Sequence, residues 1–123
     1  MTRSAKQKLG NAGEQLAARE LQARGLSIVQ TNYRCASGEM DLIARDGDEL
    51  VFVEVKTRRG NRFGSPEDAV NPRKQQKLIE VAETYLQAYQ HNDVNWRIDV
   101  VAVEMDARGK LLRVDVIEHA VSR

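Results

Sequence analysis

Asp41, Glu54 and Lys56 stand at spacings that could do chemistry. Glu54 and Lys56 are two residues apart, so on an extended strand they share a face. The stretch Asp46-Gly47-Asp48-Glu49 is a tight hairpin signal that folds Asp41 back towards them. If Asp46 faces Glu49, pairing backwards sets Ala44 against Val51, Leu42 against Val53 and Met40 against Val55, one wholly apolar face. The other face pairs Ile43 with Phe52, Asp41 with Glu54 and Glu39 with Lys56. Opposed like charges on neighbouring strands are unfavourable, so Asp41 and Glu54 want a cation between them. Two hard oxygen ligands suit Mg²⁺ or Mn²⁺. Lys56 is then placed to hold a phosphate oxygen or to assist an attacking water. Carboxylates for a metal and a lysine for developing charge are what phosphodiester hydrolysis requires. A lone Glu-x-Lys on a strand is more commonly a solvated ion pair, and the residues alone leave both readings open.

The elements that must position these groups are legible from periodicity. Residues 5–24 read as a helix, with Leu9, Ala12, Leu16 and Ala23 on one arc widened by Ala17 and Leu21, and with Gly25 to stop it. Glu20 fits badly, because it projects near the middle of that arc. Strand patterns follow at 26–32, 39–45 and 50–57. A polar loop leads to a second helix, with Asn71 as N-cap, Pro72 at the first helical position, and Leu78, Val81, Ala82, Tyr85, Leu86 and Tyr89 at helical spacing. Two more strands are expected at 96–105 and 111–117, joined by a turn at Gly109. The order is helix, three strands, helix, two strands. A helix between strands three and four makes a parallel crossover, so the expected fold is α/β, a mixed sheet with a helix on each face.

The chain of 123 residues suits a single domain spanning 1–123 with one core of its own. At 41% hydrophobic and 30% charged residues, it has the profile of a soluble globular protein. No apolar run is long enough to cross a bilayer, and the basic start lacks the apolar stretch of a secretory signal. Cys35 is the only cysteine, which excludes an internal disulfide and a thiolate zinc site. A cytoplasmic location is expected. Net charge is only +1, but residues 56–77 hold seven basic residues (Lys56, Arg58, Arg59, Arg62, Arg73, Lys74, Lys77) against two acidic ones. Charge runs are usually solvated surface. This one begins inside the candidate site, which makes Arg58, Arg59 and Arg62 candidates for tracking a nucleic-acid backbone. Lys74 and Lys77, one turn apart on the second helix, are candidates for phosphate contacts.

The stretch GEMDLIARDGDELVFVEVKTRRG at 38–60 resembles the PD-(D/E)xK nuclease superfamily. Within it the sequence is most similar to the small bacterial YraN-like family of predicted endonucleases, related to archaeal Holliday-junction resolvases. The resemblance extends to GNAGEQLAARELQARG in the first helix, TNYR after the first strand, FGSPEDAV before the second helix and WRIDVVAV in the fourth strand. It implies a restriction-endonuclease-like core, with Asp41 as the metal-binding aspartate and Glu54 and Lys56 as the ExK pair. It also implies the carbonyl of Val55 as a further metal ligand and Glu14 as the helix-one glutamate. The motif's proline is absent, since Glu39 and Met40 precede Asp41. Glu14 lies one heptad before Leu21, at the edge of the apolar arc, from where it could reach over the sheet towards the metal; a solvated helix glutamate is the equal alternative.

The leading expectation is therefore a Mg²⁺- or Mn²⁺-dependent endonuclease acting on DNA rather than RNA, including branched or junction DNA. A nucleic-acid-binding module of the same fold without cleavage is the alternative, and an adaptor with a merely solvated hairpin is the third. Resolvase-like relatives act as dimers, so a homodimer is a further expectation. Arg97 and Asp99 share a strand face and read as a structural ion pair before a second layer around the site. Tyr33 and Trp96 read as packing, Arg34 as a candidate groove residue, and His91 and His119 as exposed.

Overall fold

A computed structural model describes residues 4–60, 71–89 and 93–121. Its elements run α1 (Ala5–Ala23), β1 (Ser27–Cys35), β2 (Gly38–Asp46), β3 (Glu49–Arg59), α2 (Pro72–Ala88), β4 (Trp96–Met105) and β5 (Leu111–Ile117). The five strands form one sheet in the order β1-β2-β3-β4-β5. All neighbours are antiparallel except β3 and β4, which are joined through α2 and run parallel. The expected mixed sheet with a helix on each face is what forms. No described helix is long and apolar enough to cross a membrane.

β3 organises both layers, because its side chains alternate. Val51, Val53 and Val55 enter the cluster beneath α1, together with Ala17, Leu21, Leu42 and Val101. Leu50 and Phe52 enter the opposite cluster beneath α2, together with Ile43, Leu78, Val81, Tyr85 and Ile98. Tyr33 is indeed packing: its ring meets Tyr85 edge-on at 5.1 Å. Trp96 does the same against Phe52 at 5.7 Å.

Each helix is set by its ends. Ser4 accepts from Gln7 N–H while the Gln7 side chain accepts from Ser4 N–H, a reciprocal cap. Gly25, at φ +93, ends α1 in a Schellman turn: Gly25 N–H donates to Gln22 and Leu26 N–H to Leu21. Asn71 caps α2 by accepting from Lys74 N–H, ahead of Pro72.

Two expectations need correction. The buried line of α1 runs through Gly13, Ala17 and Leu21, and Ala23 is exposed. Glu20 then lies at the helix margin, paired with Arg24 at 2.9 Å. Leu9, Ala12 and Leu16 pack against the same cluster as expected, and α1 approaches the sheet at a glycine: a Cβ on Gly13 would sit 1.8 Å from Oγ1 of Thr57. The hairpin register is also shorter than the turn implied. Ala44↔Val51, Ile43↔Phe52 and Leu42↔Val53 pair as expected, and there the β2–β3 ladder stops. Met40 does not join Val55 on the α1 side but lies in the α2 cluster, beside its β1 partner Tyr33.

Candidate active site

Where the β2–β3 ladder stops, a side chain takes its place. The Asp41 carboxylate accepts the Val55 backbone N–H at 2.7 Å, so it holds β3 where a β2 carbonyl would otherwise serve. This hydrogen bond fixes one carboxylate oxygen. Glu54 and Lys56 continue the β3 face that carries Leu50 and Phe52, the face α2 covers. α2 reaches them with its polar first turns, so the apolar stripe of the sheet gives way to a charged floor. The result is a cleft of about 370 Å³ with Asp41 and Glu54 on one wall and Asn71, Arg73, Lys74 and Lys77 on the other.

Glu54 is buried, only 7% exposed, and its carboxyl lies within hydrogen-bonding reach of Asp41. Burial is the main cause pushing Glu54 up to about 7, and the Asp41 charge adds to it; Lys74 and Lys56 oppose the shift. Asp41 is likewise raised by burial, against the Val55 N–H that favours its charged form. Lys56 Nζ and Lys74 Nζ each lie 3.7 Å from the same oxygen, Glu54 Oε1. Burial and the neighbouring Lys74 hold the Lys56 ammonium below its usual range. Two carboxyls that repel each other, faced by two lysines that repel each other, form a compact and charge-balanced quartet.

Glu14 approaches from the α1 side. Burial raises its carboxyl, the charges of Asp41 and Glu39 add to the shift, and the Asn32 side chain opposes it by hydrogen bonding. Glu14 is thus within electrostatic reach of Asp41, in a polar groove with Asn11, Asn32, Arg34 and Glu39. Among the described residues, no third Asp, Glu, His or Cys completes a metal-holding cluster with the Asp41–Glu54 pair. Val55 contributes its N–H to Asp41, which ties its backbone to the site.

The basic residues divide. Lys74 and Lys77 line the cleft. Arg58 donates to the Thr57 carbonyl and lines a neighbouring groove with Lys56, while exposed Arg59 donates to the Ala107 carbonyl. Arg62, the FGSPEDAV motif and His91 lie outside the described residues. His119 is exposed, as expected. Arg34 is paired with Glu39 at 3.2 Å. Arg97 and Asp99 lie on the opposite face of the sheet, beside Val51 and Val53, with Arg97 also reaching Glu49 at 2.5 Å. They bind the hairpin to β4 and have no part in the cleft. The contact between Lys74 and Glu54 was missed from sequence, since the turn of chain between them hides their distance. The Asn71-Pro72 helix start was the available signal that Lys74 opens α2.

A model of the uncharacterised protein family UPF0102 matches residues 13–103. UPF0102 proteins with similar sequences include one of Syntrophus aciditrophicus, 46% identical over 90% of this chain and 86% of that protein. Others are one of Symbiobacterium thermophilum, 49% identical over 92% and 95%, and one of Frankia alni, 47% identical over 98% and 99%. Among solved structures, Pyrococcus furiosus SfsA in complex with Ca²⁺ aligns with a TM-score of 0.40 at 16% identity, covering 96% of this chain and 65% of that one. Since the matched span takes in Glu14, the Asp41–Lys56 hairpin and Lys74 alike, the chain belongs to family UPF0102, the YraN-like family that its motifs resemble.

Proposed function

We propose that the protein is a divalent-metal-dependent nuclease that hydrolyses phosphodiester bonds, in DNA rather than RNA. The observation that carries this reading is the Asp41–Glu54 pair, a buried carboxyl beside a half-buried one at the floor of an open cleft, with two lysines on one oxygen of Glu54. A purely structural site would gain nothing from setting two carboxyls side by side, and like charges so placed are costly unless a cation joins them. The donor set fits Mg²⁺ or Mn²⁺: hard carboxylate oxygens, no thiolate, no imidazole. Asp41 and Glu54 would hold the ion, with the Val55 carbonyl as the backbone ligand and Glu14 assisting from α1. Such an ion, when bound, would supply Lewis acidity at the phosphodiester. Lys56 holds a positive charge beside the reacting group and stabilises the charge that develops there. Arg58, Arg59 and Arg62 hold the nucleic-acid backbone beyond Lys56, and Lys77 holds it from the α2 wall.

The test is cleavage of branched, duplex and single-stranded DNA and RNA by the purified chain, with Mn²⁺ and with chelator. Wild type should cut DNA only with the metal. Lys56→Ala should lose cleavage but keep most affinity, since one phosphate contact among several is a small share of binding. Wild type that binds the panel and cuts nothing with any divalent ion would make the protein a binding module instead.

A further inference from the structure

The α2 wall holds a group for which backbone tracking is too small a role. Lys74 does not merely line the cleft; its Nζ lies 3.7 Å from Glu54 Oε1, as close as Lys56, the lysine of the ExK pair. Two ammonium groups on one carboxylate oxygen repel each other. The arrangement holds because the carboxyls of Asp41 and Glu54 are set against them. A divalent cation placed between the carboxylates upsets that balance, since the two lysines then face a doubly charged ion across a few ångströms of low-dielectric cleft. One of them must give way.

The structure distinguishes which. Lys56 is rooted in the middle of β3, with a side chain 15% exposed. Lys74 stands in the first turn of α2 with a side chain 38% exposed and a flexible stem beside the open cleft. We infer that Lys74 is the exchangeable counter-ion of this site: it neutralises Glu54 until a divalent cation displaces it, then turns to the phosphodiester that enters with the cation. The inference rests on the nuclease reading and adds to it a coupling. Cation and phosphodiester each relieve the repulsion the other creates, so each binds better when the other is present, and by the same factor.

Calorimetric titration of Mn²⁺ into the full chain tests this, with and without dimethyl phosphate as an uncleavable phosphodiester. Lys74→Met keeps the stem and removes the charge. It should bind Mn²⁺ alone at least about fivefold more tightly than wild type. Saturating dimethyl phosphate should tighten Mn²⁺ binding to wild type by a similar factor and to Lys74→Met by clearly less. Lys74→Arg should retain the coupling, and Lys110→Met, in the exposed β4–β5 turn away from the cleft, should follow wild type in both titrations. Equal Mn²⁺ affinity in wild type and Lys74→Met, or an equal dimethyl phosphate effect in both, overturns the exchange even if wild type cuts DNA, and leaves the nuclease reading standing. Coupling in a wild type that cleaves no nucleic acid supports the exchange and removes the nuclease reading. Failure of every variant to bind Mn²⁺ overturns both.

Discussion

Glu54 holds its proton to about 7, against an ordinary value of 4.5, because it is buried and faces Asp41. Below 4.5 the carboxyl is protonated in folded and unfolded chain alike. As pH rises from there towards 7, the unfolded chain gives up the proton and the folded chain keeps it, so stability falls across that window. In chelator the loss should approach roughly 3 kcal/mol, with Asp41 acting in the same direction. Denaturant titrations at pH 5 and 7.5 measure it, and Glu54→Gln should remove most of the slope; an unchanged slope would show that other groups cause it. Glu14 is the other residue whose role a conservative change can expose. Its carboxyl is raised by burial and by the charge of Asp41, whereas its helix position alone left a reach over the sheet and a solvated side chain equally open. Glu14→Gln should therefore slow cleavage markedly, with partial recovery at high Mn²⁺, whereas a surface change would alter stability by less than about 0.5 kcal/mol and leave the rate alone. Glu20, paired with Arg24 at the helix margin, is the control on the same helix.

Elements were legible where periodicity alone decides them, and less so where backbones approach closely. The strands at 96–105 and 111–117 were found at their observed bounds, and the hairpin register was right as far as Leu42↔Val53. It failed beyond because a carboxylate took over a ladder hydrogen bond, an exchange that alternation of apolar residues does not encode. The face of α1 was read rightly through Leu9, Ala12, Leu16, Ala17 and Leu21 and failed only at Ala23, which is exposed. Hydrophobic periodicity gives a glycine no weight, yet Gly13 is buried against β3, with Thr57 Oγ1 1.8 Å from any added Cβ and Thr57 Cβ at 2.9 Å. Gly13→Ala improves helix propensity by about 1 kcal/mol. It should nevertheless lower stability by about 2 kcal/mol net, because the helix must lift from a β-branched side chain in the middle strand. Thermal melts would show this, and Thr57→Ala in the same background should recover part of the loss. Should Gly13→Ala raise the melting temperature, α1 is less tightly seated than its geometry states. Since Glu14 follows directly, the same substitution should weaken whatever Glu14 does at the site.

Across the whole molecule the two faces of the sheet carry separate charge networks, and a single strand face was not enough to tell them apart. Arg97 and Asp99 read from sequence as a structural ion pair before a second layer around the site, and an ion pair is what they form. They lie on the α1 face, where Arg97 holds Asp99, Glu49 and Asp46, and Asp99 also accepts the His119 N–H. Arg97→Met leaves a fully buried carboxylate without its cation and should cost about 3 kcal/mol or more. Mn²⁺ affinity of the folded protein should not change; a weakened affinity would tie this network to the cleft after all. Arg97→Met with Asp99→Leu should recover much of the stability, because the stranded charge is gone. The ion pair of Lys74 with Glu54 was beyond sequence reasoning, because it depends on how α2 settles on the sheet. One consequence of the Asp41–Val55 hydrogen bond remains. Val55 lies in the strand that both cores share, so its amide proton should exchange with solvent only through openings that involve the entire fold. The carboxylate that holds this proton is the one that would also hold the cation. An ion arriving in the cleft should therefore change the Val55 amide exchange rate and resonance, making the centre of the sheet a reporter of occupancy at its surface.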